Sequence, residues 1–167
     1  SLEPGKIYES NRVLIHSFLG SLGLRPTVAP LVVDQLKATA EALRAAFAES
    51  DVVITTGGVS VGELDFVKDG FTEIGGTIDH WKVAIRPGKP FVFGRLGQKF
   101  LFGLPGNPVS ALVTFLVLVR PALLKMLGAE NCELPKAPGV ITDPISNPGD
   151  RRHFVRCRWK AGEVRPT

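Results

Sequence analysis

The chain has 167 residues, 44% of them hydrophobic, and a formal net charge of +4. This length allows one domain with a substantial core. The longest apolar stretch, 109–119, is shorter than the roughly 20 residues that a membrane-spanning helix needs, and the first residues lack a secretion-signal pattern. We therefore expect a cytoplasmic protein without a membrane segment, whose positive charge favours anionic ligands.

The two cysteines, Cys132 and Cys157, lie far apart in the sequence. Neither belongs to a CxxC or Cys/His spacing that would indicate a zinc site or a redox pair. We expect both to be reduced and to have no part in the chemistry.

The first half of the chain alternates helical and strand patterns. The predicted elements are a helix over 10–23, a strand over 24–33, a helix over 36–47, a strand over 51–56 and a helix from about 64 to 74. Asp34 is expected to be the N-cap of the second helix. The strand over 51–56 is short, apolar and followed by glycines, which is typical of a buried parallel strand.

The second half continues the alternation. The predicted elements are a strand over 77–84, a rigid loop over 86–90, a strand over 91–94, a hairpin turn at 97–98, a strand over 100–104 and a helix over 109–127. Pro121 should kink or break that last helix. Together the pattern predicts an α/β fold with three layers, α/β/α, and a mostly parallel sheet of the Rossmann-like kind.

After Gly128 the composition changes, and a linker is punctuated by Pro135, Pro138, Pro144 and Pro148. We place a boundary near 135, with an α/β domain over 1–134 and a linker with an incomplete β segment over 135–167. The alternation over 153–159 predicts an edge strand. The tail is too short to bury a core of its own.

The strongest local signal is a glycine-rich loop between the strand 51–56 and the following helix. Its glycines allow backbone N–H groups to point at a ligand, and the helix N-terminus adds partial positive charge, so the loop is typical of an anion cradle. The candidate ligand-binding residues are Thr56, Gly57, Gly58, Ser60 and Gly62. Asp65, about one turn into the helix, could hold a metal ion beside a phosphate, or could simply cap the helix.

This loop matches neither of two common phosphate motifs. No Gly-Lys-Ser/Thr follows, as a Walker A loop requires, and the GxGxxG dinucleotide pattern is missing. Nucleotide hydrolysis and hydride transfer are therefore disfavoured.

A second cluster contains the cations Lys82, Arg86 and Lys89. Two prolines stiffen the segment 86–90, so the cations are held with less ordering cost when an oxyanion such as phosphate or molybdate binds. The alternative is that these side chains only solvate the surface.

A third segment repeats the order strand, glycine loop and helix start. Asn107 can cap the helix and Pro108 fits its first position, so a structural role covers most of the motif. A second helix N-terminus beside the first would nevertheless suit a ligand with two anionic ends. The candidate binding residues here are Pro105, Gly106, Asn107, Pro108 and Ser110.

The remaining polar residues indicate no further site. His16, His80 and His153 have no partner that spacing can identify, so no catalytic or metal triad is predicted. The basic run 151–158 alternates with apolar residues as an exposed strand does, and we do not expect a nucleic acid partner.

Three of these segments carry a resemblance to a known family. The stretches Gly-Gly-Val-Ser-Val-Gly-Glu-Leu-Asp ending at Asp65, Lys-Val-Ala-Ile-Arg-Pro-Gly-Lys-Pro ending at Pro90 and Gly-Leu-Pro-Gly-Asn-Pro-Val-Ser-Ala ending at Ala111 closely resemble the MoeA/gephyrin-E family. The opening from Gly5 to Arg12 is also similar. The resemblance covers 5 to about 127 with the motifs in the expected order.

The resemblance implies a molybdopterin molybdenumtransferase, which takes adenylylated molybdopterin and molybdate, uses a divalent metal such as Mg²⁺ and releases AMP. By motif position, Asp34 and Asp65 match acidic residues that also bind the metal, and Lys82 and Arg86 match basic active-site residues. The Pro-Gly-Asn-Pro loop would line the pterin phosphate region. Arg86 is a lysine in some members, which changes how an oxyanion is held.

The resemblance also implies that the family's pattern is incomplete here. Members carry a strand and a Thr-Gly-acidic turn before the segment that begins at Gly5, together with further domains, and they build each active site at a homodimer interface. We therefore expect a fragment whose sheet lacks one strand and which is inactive alone. A molybdopterin adenylyltransferase is a further expected partner.

Two other readings stay open. A molybdopterin adenylyltransferase of the same fold would consume ATP and molybdopterin, although the Pro-Gly-Lys-Pro and Pro-Gly-Asn-Pro segments disfavour it. A gephyrin-like scaffold would bind a receptor peptide without catalysis, and that binding would survive neutralisation of Asp65 and Lys82.

Overall fold

The computed structural model describes residues 9–59 and 65–167. Its helices are α1 (Asn11–Ser21), α2 (Leu36–Glu49), α3 (Phe66–Glu73), α4 (Pro108–Thr114) and α5 (Arg120–Met126). Its strands are β1 (Val52–Thr56), β2 (Thr77–Trp81), β3 (Ile85–Arg86), β4 (Val92–Leu96), β5 (Lys99–Leu104), β6 (Val140–Ile141), β7 (Arg152–His153), β8 (Cys157–Lys160) and β9 (Glu163–Pro166).

The central sheet has four strands in the order β1-β5-β4-β2. β1 and β5 are parallel, whereas β4 is antiparallel to both β5 and β2, so β1, β5 and β2 point the same way. β4 and β5 form a hairpin whose turn is Gly97-Gln98, as predicted. Gly97 has φ of 60°, a conformation that glycine adopts without steric cost.

Helices cover both faces of this sheet. On one face, α2 and α3 enclose a core around Phe47 and Phe71, and the two rings lie 5.5 Å apart. On the other face, α1, α4 and α5 pack over Phe102 and Leu104. The fold is therefore the three-layer α/β/α arrangement that the sequence predicts.

The predicted strand over 24–33 is wrong. These residues form neither helix nor strand, and Leu31 and Val33 are 72% and 61% exposed. A strand needs a neighbour to satisfy its backbone groups, and in the described sheet the edge strand β1 pairs only with β5, not with this segment. A groove of about 770 Å³ lies between this segment, α1, α2 and the outer edge of β1.

The last long helix runs from Pro108 to Met126 and changes its winding halfway. A π-helical segment, Phe115–Val119, separates α4 from α5 and ends two residues before Pro121. Proline has no N–H to continue the regular pattern of hydrogen bonds, which accounts for the local departure near the expected position.

This helix is long and apolar enough to cross a membrane by length and composition alone, which is weak evidence for a span. Its residues Ala111, Phe115, Val119 and Leu123, spaced four apart, are buried in the core over the sheet. That spacing is how a helix of a packed core presents one face.

The tail is built from small sheets. β6, β9 and β8 form a three-stranded sheet, and β7 pairs with β3. The strand predicted over 153–159 is split, because β7 ends at His153 and β8 begins at Cys157. The boundary near 135 stays a prediction.

Candidate functional site

The strand register brings the three predicted segments to one edge of the sheet, the edge formed by the C-terminal ends of β1, β5 and β2. Gly103 in β5 is opposite Thr55 on one side and Val92 on the other, and Val92 is in turn opposite Trp81. β1, β5 and β2 therefore end, and β4 begins, at the same edge. Since neighbouring strands lie about 4.8 Å apart, the outer two strands are separated by roughly 15 Å.

The two glycine loops contact each other at this edge. The N–H of Gly57 donates to the carbonyl of Leu104 at 3.0 Å. A Cβ built on Gly106 would lie 3.6 Å from the Cα of Gly57, so the two backbones run close together. Gly57 and Gly58 have φ of 79° and 68°, which favours glycine at both.

Of the first loop's predicted ligand-binding residues, Thr56, Gly57 and Gly58 are described at the edge. Ser60 and Gly62 lie outside the described residues. Gly58 also packs tightly, because a Cβ there would be 2.9 Å from Cγ2 of Val67 in α3.

Asp65 is the N-cap of α3, not a residue one turn into the helix. Its Oδ1 accepts the N–H of Lys68 at 3.0 Å, so the capping interpretation is correct. The residue is only 2% exposed, and its Oδ2 is buried without a hydrogen-bond partner among the described residues. Burial raises the pKa of Asp65, opposed by the backbone N–H and the charge of Lys68.

Asp34 does not cap α2, because Gln35 occupies the N-cap position. The helix begins at Leu36, as predicted, and Asp34 is exposed. It lines the 770 Å³ groove together with Thr56, Gly57 and Gly58. Within 9–59 and 65–167, no three His, Cys, Asp or Glu side chains cluster as metal ligands.

The three predicted cations follow the end of β2, which stops at Trp81 and not at the predicted 84. Lys82, Arg86 and Lys89 are all exposed. Backbone bonds close their loop, since the N–H of Lys82 donates to the carbonyl of Phe91 and that of Val83 to the carbonyl of Lys89, at 2.9 and 3.0 Å. The cations therefore project from a backbone that is already ordered.

The indole of Trp81 lies against two ammonium groups. Nζ of Lys82 is 4.0 Å from the ring centroid, and Nζ of Lys68 is 4.1 Å from it. Neither Trp81 nor Lys68 is among the residues predicted from the sequence. Lys68 could have been found from the sequence, because it is a cation in the first turn of the helix that follows the candidate site residue Asp65.

The third segment adopts the predicted geometry. Oδ1 of Asn107 accepts the N–H groups of Val109 and Ser110 at 3.0 and 3.1 Å, and Pro108 is the first residue of α4. The side chain of Asn11 in α1 donates to the carbonyl of Gly106 at 2.7 Å. A helix start thus lies beside each of the two glycine loops, and both carry partial positive charge.

The tail reaches this edge, which spacing did not indicate. Arg86 is opposite His153 in the parallel pairing of β3 with β7, and the N–H of Phe154 donates to the carbonyl of Arg86 at 2.7 Å. The tail therefore contacts the cationic loop through the pairing of β7 with β3.

Taken together, two helix N-termini, two glycine turns, three lysines and one arginine lie at one edge. Partial and full positive charges in such an arrangement suit an anionic ligand, and the buried carboxylate of Asp65 suits a cation beside it.

The chain is similar to known proteins that are named for molybdopterin or the molybdenum cofactor. Residues 1–125 match the model of a family described as probable molybdopterin binding domain. The chain is 44% identical over 134 residues to a molybdopterin molybdenumtransferase of Haemophilus influenzae, which covers 80% of the chain and 33% of that protein. It is 39% identical to the molybdenum cofactor synthesis protein cinnamon of Drosophila melanogaster, over 98% of the chain and 28% of that protein.

The fold of the chain is also similar to the folds of solved proteins. A molybdopterin biosynthesis MoeA protein of Pyrococcus superposes with a TM-score of 0.87 at 29% identity, over 100% of the chain and 40% of that protein. Smaller proteins such as a MoaB from Thermus share the fold with a TM-score of 0.56 at 22% identity. The chain spans between 28% and 40% of the length of the curated relatives that it matches.

Proposed function

The chain belongs to the family of probable molybdopterin-binding domains, and we propose that it is the ligand-binding domain of a molybdopterin molybdenumtransferase. The proposed reaction inserts molybdate into adenylylated molybdopterin and releases AMP. The relatives named as molybdopterin molybdenumtransferases support this assignment.

The observation that carries the proposal is the meeting of three ligand-binding segments at one sheet edge. Gly57 lies beside Gly106, which follows β5. The cationic loop follows Trp81 at the end of β2, which is two strands away from β5 in the sheet. An adenylylated pterin carries several negative charges along its length. A set of donors and cations spread over roughly 15 Å is suited to such a ligand.

In the proposal, Lys82, Arg86 and Lys89 bind molybdate and stabilise the charge that develops on the phosphate as AMP leaves. Their backbone is already ordered, so little conformational entropy is lost when the anion binds. Arg86 presents a planar fork that can bind two oxygens of one anion at once. The loop 105–108 and Ser110 would contact the pterin phosphate.

A divalent ion, Mg²⁺ in this proposal, fits the acidic residues. Oδ2 of Asp65 is buried without a described hydrogen-bond partner, and a bound cation would satisfy this oxygen. Mg²⁺ is often held by one or two carboxylates with water and substrate phosphates, so a larger acidic cluster is not required. Bound there, the ion would neutralise phosphate charge, with Asp34 as the second carboxylate.

The proposal includes assembly. We infer that the full-length protein is a homodimer with a site completed by residues beyond this chain, and that a molybdopterin adenylyltransferase supplies its substrate. The isolated 167-residue chain is then expected to bind the anion weakly and to release no AMP.

The test is AMP release by full-length protein supplied with molybdopterin-AMP, molybdate and Mg²⁺. Asp65→Asn should abolish metal-dependent release, because the amide keeps the cap but loses the negative charge that would hold the ion. Asp69→Asn is the matched control, because Asp69 lies in the first turn of the same helix and is exposed. It should leave release unchanged.

Two results would contradict the assignment. Turnover of ATP with molybdopterin in place of the adenylylate would favour the adenylyltransferase. Release that is unaffected by Asp65→Asn would leave Asp65 as a helix cap only.

A further inference from the structure

Asn11, the first residue of α1, makes a single side-chain hydrogen bond within the part of the chain that the structure describes. Its Nδ2 donates to the carbonyl of Gly106 at 2.7 Å, whereas its Oδ1 is buried without a partner among those residues. A carbonyl oxygen can only accept a hydrogen bond, so the nitrogen of the amide must face Gly106. The contact with Gly106 therefore fixes the orientation of the side chain.

Both ends of this hydrogen bond belong to rigid parts of the fold. Ile15 and Leu19, one and two turns further along α1, are buried in the core that also contains Phe102 and Leu104 of β5. Gly106 follows two residues after the end of β5. One core thus holds the helix that donates the bond and the strand that leads to the acceptor.

The N–H groups at the start of α4 are already used within the protein. Pro108 has no N–H, and the N–H groups of Val109 and Ser110 donate to Oδ1 of Asn107. The N–H of Ala111 donates to the carbonyl of Asn107 at 2.8 Å. A ligand at this loop must therefore be bound by N–H groups that precede the helix.

Two such N–H groups are available, those of Gly106 and Asn107. Both residues are exposed, and neither N–H has an acceptor within 9–59 or 65–167. The peptide bond between them is trans and planar, so the carbonyl of Gly106 and the N–H of Asn107 point in opposite directions. Because Asn11 holds the carbonyl, it also directs the N–H of Asn107 away from itself.

We propose that Asn11 is a positioning residue for the second glycine loop, and that it orients the N–H of Asn107 to donate to a phosphate group of the ligand. Without the amide of Asn11, the peptide could rotate and present the carbonyl oxygen of Gly106, which repels an anion, in place of this donor. The inference rests on the proposed function, in which loop 105–108 contacts the pterin phosphate. It deepens that function by naming the donor and the residue that orients it.

The experiment observes one peptide group in full-length protein. The pair Gly-Asn occurs once in this chain, so labelling glycine with carbonyl ¹³C and asparagine with ¹⁵N selects the amide of Asn107 in a ¹³C–¹⁵N correlated NMR spectrum. Any other Gly-Asn pair of the full-length protein is recognised because its signal survives Gly106→Ala. Inorganic phosphate is the probe, and the Asn107 resonance should move to a plateau as phosphate is added.

Asn11→Leu keeps the branched shape of the side chain but donates no hydrogen bond. It should raise the dissociation constant read from the Asn107 resonance about tenfold, because an oriented hydrogen bond to a charged group is lost. Ile15→Val is the matched control, since it removes a methylene from a buried residue of the same helix and leaves the amide of Asn11 in place. It should leave this dissociation constant unchanged, although it also lowers stability.

Two results would overturn the inference. One is an Asn107 resonance that does not respond to phosphate in the unmodified protein. The other is a dissociation constant that is the same in Asn11→Leu as in the unmodified protein, or that rises equally in Ile15→Val. The absence of AMP release from unmodified full-length protein would instead overturn the proposed function, and the role of Asn11 would still be decided by the Asn107 resonance.

Discussion

The side-chain amide of Asn11 donates a 2.7 Å hydrogen bond to the carbonyl oxygen of Gly106, although 95 positions separate the two residues. This bond ties the start of α1 to the loop that precedes α4. Asn11 is only 7% exposed, so the bond is partly shielded from water. The position of the second glycine loop thus depends on a residue in the first helix.

Asn11→Ala should lower the free energy of unfolding by about 1 kcal/mol, because a partly buried hydrogen bond is lost. Urea unfolding measures this change. Ser17→Ala is the control, since that exposed hydroxyl bonds only within α1, and its effect should stay within about 0.5 kcal/mol. Equal effects of the two substitutions would show that the contact with Gly106 contributes nothing.

Gly88→Ala should destabilise the cationic loop by about 2 kcal/mol. Gly88 has φ of 114°, and an added Cβ would lie 2.6 Å from Cγ2 of Thr114 in α4. Because Gly88 lies between Arg86 and Lys89, binding of molybdate should weaken as well. Thermal unfolding and a molybdate titration check the two effects.

The control for this substitution is Gly20→Ala. Gly20 lies in α1, and a Cβ there would meet nothing within 4 Å. Alanine favours helix over glycine, so a gain of about 0.5 to 1 kcal/mol is expected. A Gly88→Ala protein as stable as the unmodified one would contradict the packing described for the loop.

Asp65→Asn should stabilise the protein at neutral pH while it abolishes activity. Burial raises the pKa of Asp65 above its unfolded value of 3.8, so ionisation of the carboxyl is harder in the folded state. The resulting loss of stability is absent at pH values below 3.8 and develops as the pH rises through the interval between the unfolded and folded pKa values. Asparagine does not ionise and avoids this loss.

Urea unfolding over the range from about pH 4 to about pH 8 tests the sign. The advantage of Asp65→Asn should grow with pH and then level off. Asp69→Asn, at an exposed position of the same helix, removes only the weaker charge repulsion that also raises the pKa of Asp65, so its gain should be much smaller. A gain that is equal at acid and neutral pH would mean that ionisation of Asp65 is not its cause.

Hydrogen exchange should reveal whether β1 gains a neighbour in the full-length protein. The carbonyl of Asp51 accepts from Phe100, and the N–H of Gly57 donates to Leu104, so alternate residues of β1 face β5. The backbone N–H and carbonyl groups of Val52, Ile54 and Thr56 therefore point away from β5, toward the side on which β1 has no neighbour in the described sheet.

In the 167-residue chain, the amides of Ile54 and Thr56 should exchange quickly and those of Val53 and Thr55 slowly. In full-length protein we expect an added strand in the groove to slow the exchange of Ile54 and Thr56. Fast exchange of these two amides in both forms would show that no strand is added.

Local patterns predicted the elements whose stability depends on their own residues. The hairpin at Gly97-Gln98, the cap at Asn107 and the helix over 10–23 all follow from turn, cap and periodicity rules that act over a few positions. The same rules predicted a strand over 24–33 and failed, because a strand is stable only when another strand pairs with it.

Some features of the candidate site could likewise be predicted from the sequence, and others could not. Glycine at 57 and 58, and the cations at 82, 86 and 89, were recognisable from residue type and spacing. The contact of Trp81 with Lys68 was not predictable, since the two residues are 13 positions apart and belong to different elements, β2 and α3. The pairing of Arg86 with His153 was equally hidden, because it joins the tail to a loop over a long stretch of chain.

The amino-acid sequence alone determined the α/β class, the two glycine turns, the cationic loop and the family, because each depends on residues that are near one another in the chain or on a motif kept in order. The tertiary structure decided which of these segments meet. Strand order and register placed the ends of β1, β5 and β2 at one edge, buried Asp65, and brought Lys68 to the ring of Trp81. Such juxtapositions arise from packing between distant elements, which no local pattern encodes.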